Sequence, residues 1–301
     1  MPGAGRGVFL LTTALPLYLI HRDQPELCAA SIAAFGAQDH PVSVRVIDNG
    51  SSPASLERLR GLASGVTIIE AGTNLGFGPG ANVALRRWLA EETGDWVAIA
   101  PHDALPQAGC VSRLMAETAA RPRAGLVCAE FGADFDMVPA VDKVIGGFYR
   151  PAARGEGWQA VEYPHGTLLL LRRQTLEEVG CFDERYFAYC EEVDLALRVR
   201  RAGWQIGMVW GAVVTNSHLP SRPVADYLQV RNTLLLIHDF YGNYFVGWRC
   251  ALAAWQIVRK SLQEPRRAAV HFDLEGRAVI DFFLRRFGPP PARVLAIDRR
   301  S

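Results

Sequence analysis

The chain has 301 residues, half of them hydrophobic, and its 32 basic side chains stand against 31 acidic ones for a formal charge of +1. That length can bury a full core, as one large or two unequal domains. The near balance of charge excludes nucleic-acid binding argued from a chain-wide basic field, although residues 240–301 hold eleven Lys or Arg against five Asp or Glu, an end suited to an anionic surface.

In chain order, the apolar run from Gly7 to Ile20 is too short to span a bilayer and no small-x-small cleavage site follows it, so it is read as leading into a strand rather than as a secretory leader. Leu15 to Ile20 reads as a buried strand. Asp23 to Phe35 reads as a helix capped by Asp23, with Pro25 in its first turn and Leu27, Ala30, Ile32 and Ala34 as apolar surface. A second strand, Val42 to Ile47, ends at Asp48-Asn49-Gly50-Ser51-Ser52. Strand, helix, strand with short joins is the rhythm of a parallel α/β sheet, and ligands gather beyond the carboxyl ends of such strands, where Asp48 lies.

A helix over Ser55 to Leu62 and a strand over Val66 to Glu70 follow. Thr73 to Asn82 then reads T-N-L-G-F-G-P-G-A-N before a helix over Val83 to Glu91. Its glycines permit close approach of backbone to phosphate oxygens at a helix N-terminus, yet the spacing is neither the dinucleotide nor the Walker one and equally suits a structural turn. Trp96 to Ala100 is a strand leading into Pro101-His102-Asp103. An acid at that place can meet a metal or a diphosphate, or form an ordinary Asx turn. Cys110 to Ala120 reads as a helix, Gly125 to Ala129 as a strand, and Phe131 to Glu156, without periodicity, as a mobile excursion over the site. Tyr163 to Leu171 reads as a strand whose opening Pro164-His165-Gly166-Thr167 lines the pocket, and Thr175 to Val179 as a short helix.

The most informative stretch is G-C-F-D-E-R-Y-F-A-Y-C-E-E-V-D-L-A-L-R, Gly180 to Arg198, with Glu191, Glu192 and Asp194 beside Tyr186, Phe187 and Tyr189. If helical, it sets Asp194 against Arg198 at i,i+4 while Glu192 points elsewhere. One acid is then tied up and another is left for general-base work; the competing reading is a solvated acidic face. Ile206 to Val214 is the last strand, and beyond Ser221 helices are expected over Val224 to Tyr241, Phe245 to Leu262 and Leu274 to Arg286. The second carries Trp248, Leu252, Trp255, Ile257 and Val258, for which core, dimer interface and membrane contact are the alternatives. Six cysteines, at 28, 110, 128, 181, 190 and 250, follow no framework spacing, which predicts reduced thiols and a cytoplasmic chain.

In that order, V-I-D-N-G-S-S, N-L-G-F-G-P-G-A-N and the Gly180 to Arg198 stretch with a histidine after it resemble the inverting nucleotide-sugar glycosyltransferases of family 2, particularly the bacterial rhamnosyl- and galactofuranosyl-transferase-like branch. The resemblance covers roughly Leu15 to Asn232. It implies the GT-A fold, an α/β Rossmann-like architecture with a mostly parallel central sheet and flanking helices, over residues 1–222. Residues 223–301 are then a C-terminal helical segment, acting as cap, acceptor or dimer interface. The implied reaction moves a sugar from a UDP- or dTDP-sugar to a hydroxyl of a glycan, lipid-linked or small-molecule acceptor, in the cytoplasm or at the inner face of the membrane.

By the resemblance, Asp48 accepts a hydrogen bond from the pyrimidine ring, and Asn74, Gly76, Phe77 and Asn82 pack on the nucleotide and its ribose. Asp103 meets the diphosphate and, with His102 and His218, holds Mg²⁺ or Mn²⁺; oxygen ligands suit either cation. Glu192 falls on the catalytic base, with Glu191 its near competitor, and Asp194, His165 and Arg231 are the expected acceptor contacts. The chain departs from the family pattern at two positions. Pro101 stands at the first metal acid, and the base is glutamate where aspartate is usual. Pro101 keeps open an alternative, a non-catalytic nucleotide-sugar-binding relative with a degenerate metal motif.

Overall fold

The computed structural model describes residues 14–132, 136–216, 222–263 and 272–298. Strand β1 (Leu15–His21) is buried along its whole length, as a central strand covered on both faces requires. It pairs in parallel with β2 (Val42–Asp48) and with β4 (Trp96–Pro101). Beyond β2 lies β3 (Thr67–Glu70), also parallel. On the other side, β10 (Leu169–Arg172) runs antiparallel between β4 and β6 (Ala124–Phe131), and β6 pairs in parallel with the long β11 (Gln205–Asn216). The outer edge of β11 carries β9 (Gly157–Ala160) and then β5 (Ala104–Pro106), both antiparallel. These nine strands form one mixed sheet in which β1, β2, β3, β4, β6 and β11 point the same way.

Helices α1 (Pro25–Gly36), α2 (Pro53–Leu62), α3 (Phe77–Glu91), α4 (Cys110–Ala120), α5 (Arg173–Val179) and α6 (Glu191–Arg201) flank the sheet. One core lies under α3 and α6, centred on Tyr18, Ile99, Trp88 and Leu195; the other lies under α1, α2 and α4, centred on Leu17, Leu19, Phe35 and Leu114. Truncating a buried leucine such as Leu17 to alanine typically costs about 2–5 kcal/mol.

Several elements differ from the sequence expectation. Asp23 does not cap α1; it sits at φ 51° and its Oδ1 accepts from Ser52 N at 2.8 Å. The buried face of α1 is Pro25, Cys28, Ser31 and Phe35, and Ser31 donates to Ala104 O at 2.7 Å. Helix α3 starts at Phe77 rather than Val83, because a proline is tolerated in a first turn, where its missing N–H has no intrahelical partner to lose. The stretch expected to be irregular forms a hairpin of β7 (Met137–Asp142) and β8 (Gly146–Pro151). The strand expected from Tyr163 is confined to Leu169–Arg172, since the buried His165 and Thr167 form a turn instead.

Helices α7 (Arg222–Tyr241), α8 (Asn243–Gln263), α9 (Arg277–Phe283) and α10 (Ala292–Asp298), with a π turn at Phe272–Gly276, complete the chain. Their shared core of Tyr227, Leu234, Ile237, Val246 and Phe282 includes Tyr186 from the acidic stretch. Trp248 and Trp255, each 56% exposed, are not core of this chain. Among the described residues no helix is long and apolar enough to cross a membrane. All six cysteines are free, and burial pushes the thiols of Cys28, Cys110 and Cys128 up to about 12.

Candidate active site

The site begins at the carboxyl ends of β1, β2 and β4. Asp48 ends β2 almost fully buried, with His21, the last residue of β1, beside it at 3.1 Å from Nδ1 to Oδ1. His21 Nε2 accepts from Gln24 N at 3.2 Å, so Nδ1 carries the proton and donates to Asp48. Burial lowers the His21 pKa against the pull of Asp48, which keeps the ring neutral. The other Asp48 oxygen accepts from Ser51 N at 3.2 Å, and each oxygen retains a lone pair for a ligand. The ring of His102 meets that of His21 edge-on, with centroids 5.5 Å apart. His102 Nδ1 lies 3.1 Å from Ile20 O, which only accepts, so that nitrogen is protonated and Nε2 is the basic one. Asp103 follows, 4% exposed.

Asn49 ties this strand end to the glycine loop. Its Nδ2 donates to Gly76 O at 2.8 Å and its Oδ1 accepts from Leu75 N at 2.9 Å. Asn74 Oδ1 accepts from Gly76 N at 3.1 Å, closing a turn. Gly76 has φ 91°, and a Cβ there would lie 2.0 Å from Phe187 O. That approach lets Phe77 N donate to the same carbonyl at 2.8 Å. The loop before α3 and the stretch before α6, 110 residues apart in sequence at Phe77 and Phe187, therefore meet backbone to backbone. Asn82 fastens them again: fully buried, it donates to Phe182 O at 2.9 Å and accepts from Phe182 N at 3.0 Å.

Two left-handed residues without glycine, Tyr189 (φ 68°) and Cys190 (φ 72°), turn the chain into α6. Such residues persist only where their surroundings over-determine them. Here Asn232 of α7 donates to Ala188 O at 2.8 Å and to Tyr189 O at 2.9 Å. Glu191 and Glu192 then open α6, where the helix dipole favours negative charge. Burial raises both carboxyl pKa values, and the charge of Glu192 raises that of Glu191 further.

The two acids touch through a side-chain hydrogen bond, and on Glu191 as on Glu192 the Oε2 is shielded and unpartnered among the described residues. Glu191 packs over Gly78 at the start of α3, where a Cβ on the glycine would lie 3.2 Å from the glutamate Cβ. Glu192 lines a cavity of about 520 Å³ between α6, the β7–β8 hairpin and α8, with Tyr149, Tyr163, Tyr189 and Arg249 around it. Its Oε2 is shielded from solvent and has no hydrogen-bond partner among the described residues. A larger depression of about 950 Å³, lined by Arg113, Glu117, Arg154 and Trp210, holds none of the motif residues.

Four expected ligand contacts are placed elsewhere. Asp194 pairs with Arg198 at 2.8 Å; Arg198 also donates to Val179 O and Cys181 O, at 2.7 and 2.9 Å. The pair thus anchors the segment before the acids rather than reaching the cavity. His165 is buried, with Nδ1 accepting from Thr167 N at 3.3 Å and Nε2 donating to Ala129 O. Burial lowers its pKa to about 4, so it is a neutral strut between β6 and β10. Arg231 is 1% exposed and donates to Gly288 O at 2.7 Å, holding the C-terminal end. Asn82 has both polar side-chain atoms engaged with residue 182 and presents no surface to a donor.

His218 lies outside the described residues, and among those described no three His, Cys, Asp or Glu side chains converge as a metal site. Asp103 offers one carboxylate, His102 one imidazole nitrogen, and Pro101 nothing. That set fits a cation that arrives with a diphosphate and takes one or two protein ligands, not one caged by protein alone. Sequence reasoning missed His21, Asn49 and Arg249, and the resemblance gave Asn232, with Arg231, as an acceptor or donor contact rather than as the clamp on the turn before α6. Adjacency to the motif acid Asp48 was the only signal for Asn49, and His21 and Arg249 carried none.

Glycosyl transferase family 2 matches residues 26–180, which span Asp48, the glycine loop and Asp103 and stop before α6. The curated N-acetylglucosaminyl-diphospho-decaprenol L-rhamnosyltransferase of Mycobacterium tuberculosis is 29% identical over 286 residues, covering 80% of this chain and 91% of the relative. Among solved structures, a mannosyltransferase from Pyrobaculum calidifontis in complex with GDP-Man and Mn²⁺ superposes with a TM-score of 0.58 at 16% identity, over 89% of this chain and 86% of that one. GalNAc-T7 with UDP, GalNAc and Mn²⁺ gives a TM-score of 0.64 at 9% identity, over 91% of this chain and 57% of its own. At those identities the two structures speak for the fold, which is GT-A-like.

Proposed function

The chain belongs to glycosyl transferase family 2, and on that premise we propose that it transfers a sugar, with inversion, from a UDP- or dTDP-sugar to an acceptor hydroxyl, with Glu192 as general base. The observation that carries this reading is the cavity beside the head of α6, lined by Glu192 with its Oε2 shielded and unpartnered among the described residues. The glycine loop that bears the donor-side residues is joined to the segment before α6 by the hydrogen bond from Phe77 N to Phe187 O. The attacking hydroxyl gives its proton to Glu192 Oε2 as its own oxygen bonds to the anomeric carbon, and the bond from that carbon to the nucleoside diphosphate breaks on the opposite face. Asp48 offers the carboxylate that accepts from a pyrimidine N–H, held in place by His21 and Ser51.

Asp103 and His102 are the residues that would hold Mg²⁺ or Mn²⁺, which supplies Lewis-acid neutralisation of the departing diphosphate when bound. For the acceptor, the mycobacterial relative is named for a sugar on a diphosphate-linked polyprenol. That class is carried over here because α8, which walls the cavity, exposes Trp248, Trp255, Val258 and Leu262. Helical periodicity puts these four on one face, suited to a membrane surface.

A donor panel tests the reading: UDP-, dTDP- and GDP-sugars with Mg²⁺, Mn²⁺ or EDTA, monitored by thermal shift and donor hydrolysis. Stabilisation by a UDP- or dTDP-sugar is expected, reduced by EDTA. Stabilisation by none of them defeats the proposal, and binding without turnover on any acceptor favours the non-catalytic alternative.

A further inference from the structure

Arg249, on α8, is 6% exposed, and its Nε and Nη1 are shielded from solvent with no hydrogen-bond partner among the described residues. Natural interiors rarely leave a guanidinium in this state, because stripping water from a charge without replacing its contacts is strongly unfavourable. The charge of Glu275 offsets part of that cost without closing an ion pair. Glu275 takes the Lys260 ammonium, which also lies 3.9 Å from Asp226, and among the described residues no carboxylate oxygen comes within 4.0 Å of the Arg249 guanidinium. Glu192 lines the same cavity, and its Oε2 is also unpartnered. Two opposite charges thus border one space without closing on each other.

The wall of that space carries three cations, Arg249, Arg259 and Lys260, against one carboxylate, Glu192. We infer that the cavity takes a phosphate or diphosphate group of the acceptor, gripped by Arg249, while the acceptor hydroxyl faces Glu192. The inference rests on reading this cavity as the acceptor site and names the residue that selects the acceptor's class. A planar guanidinium meets two phosphate oxygens at once. A volume of about 520 Å³ is that of a small-molecule site. Tyr149, Tyr163 and Tyr189 offer flat faces for a sugar between anion and base. The Arg259 guanidinium sits 5.0 Å over the exposed Trp255 ring, so the cationic mouth adjoins an apolar surface where a lipid tail can lie.

The test titrates the 301-residue chain, with UDP present at saturation to fill the donor side, with farnesyl diphosphate, inorganic pyrophosphate and farnesol by calorimetry. The wild type should bind farnesyl diphosphate, and Arg249→Met should bind it at least about tenfold more weakly, a charge-assisted fork having been lost. The melting temperature of Arg249→Met should not fall, because the substitution removes an unpaired buried charge, whereas a structural arginine would lower it. Arg249-dependent binding of pyrophosphate as tight as that of farnesyl diphosphate assigns the site to phosphate from a soluble source; a clear preference for the farnesyl compound assigns it to a lipid diphosphate.

Farnesol binding as tightly as the diphosphate overturns the inference, as does unchanged affinity in Arg249→Met. If that variant fails to fold, Arg249→Lys decides. Weakened diphosphate binding at a native melting temperature supports the fork, and unchanged binding refutes it. Donor-induced thermal shift of the wild type reads the underlying transferase reading separately.

Discussion

Replacing Glu192 by glutamine keeps the side-chain shape and removes the proton acceptor. General-base catalysis typically contributes about 10²–10⁴-fold, so kcat should fall by that factor, equivalent to about 2.7–5.5 kcal/mol of barrier. The donor loop is held by Asn49 and by Phe187 O rather than by the Glu192 carboxylate. Donor affinity should therefore stay within about twofold, or ~0.4 kcal/mol. Single-turnover rates at saturating donor and acceptor separate the two quantities.

The pH dependence supplies a second reading of the same group. Burial raises the Glu192 pKa, and the active form is the carboxylate, so the rate should climb with pH along a limb placed above the ordinary glutamate value of about 4.3. The folded chain binds this proton more tightly than the unfolded one does. The glutamate's contribution to stability is thus fully present below the unfolded pKa and is lost as pH rises through the raised folded value. Glu192→Gln should abolish the rate limb and reduce that loss, leaving the part that the buried Glu191 contributes. A kcat within about threefold of wild type, under ~0.7 kcal/mol, refutes the assignment. If Glu191→Gln is instead the variant that collapses, the base is the residue packed over Gly78.

Asn49→Ala orphans the Gly76 carbonyl and the Leu75 amide. At roughly 1–3 kcal/mol for each unsatisfied buried group, a loss of about 2–6 kcal/mol in urea unfolding is expected, together with a raised donor KM. His21 is held neutral with a lowered pKa; its contribution is present above the unfolded histidine value of about 6.5 and lost as pH falls through the lower folded one. Urea midpoints followed downward from about pH 7.5 should drop in the wild type and drop less in His21→Gln. Asn232→Ala removes both bonds that hold the carbonyls of residues 188 and 189. It should lower kcat more than donor affinity, and equal loss of both would show that α7 supports the fold rather than the base.

Much of the frame could be read from short-range chemistry. The βαβ rhythm through β1, α1 and β2 placed Asp48 at a strand end, and the i,i+4 rule found the Asp194–Arg198 pair, because both depend on residues close in sequence. Misreadings arose where tertiary contacts overrode local signals. Gly78-Pro79-Gly80 looks like a helix breaker, yet all three are buried in the first turns of α3, where the missing side chains make room for Glu191 and Asn49. His165 sits in a polar tetrapeptide that suggested a pocket lining, but its two ring nitrogens serve the backbone. The left-handed turn at Tyr189-Cys190 had no glycine or asparagine to announce it. Arg249 carried no signal in the sequence, and its burial without a hydrogen-bond partner among the described residues is what distinguishes it.

The C-terminal helices cannot be treated as an appendage to a finished catalytic unit. A non-glycine residue in the left-handed region costs about 1–3 kcal/mol, and two in succession precede Glu191 and Glu192. The hydrogen bonds from Asn232 return roughly 1 kcal/mol apiece, so they offset much of that strain only while α7 stays docked. Tyr186, buried in the same helical core, adds an apolar anchor three residues before the turn. On the other side of the turn, Phe187 O grips the glycine loop through Phe77 N. The backbone from 186 to 190 is thus clamped between the strand-end side and the helical side, and the orientation of Glu192 depends on both clamps.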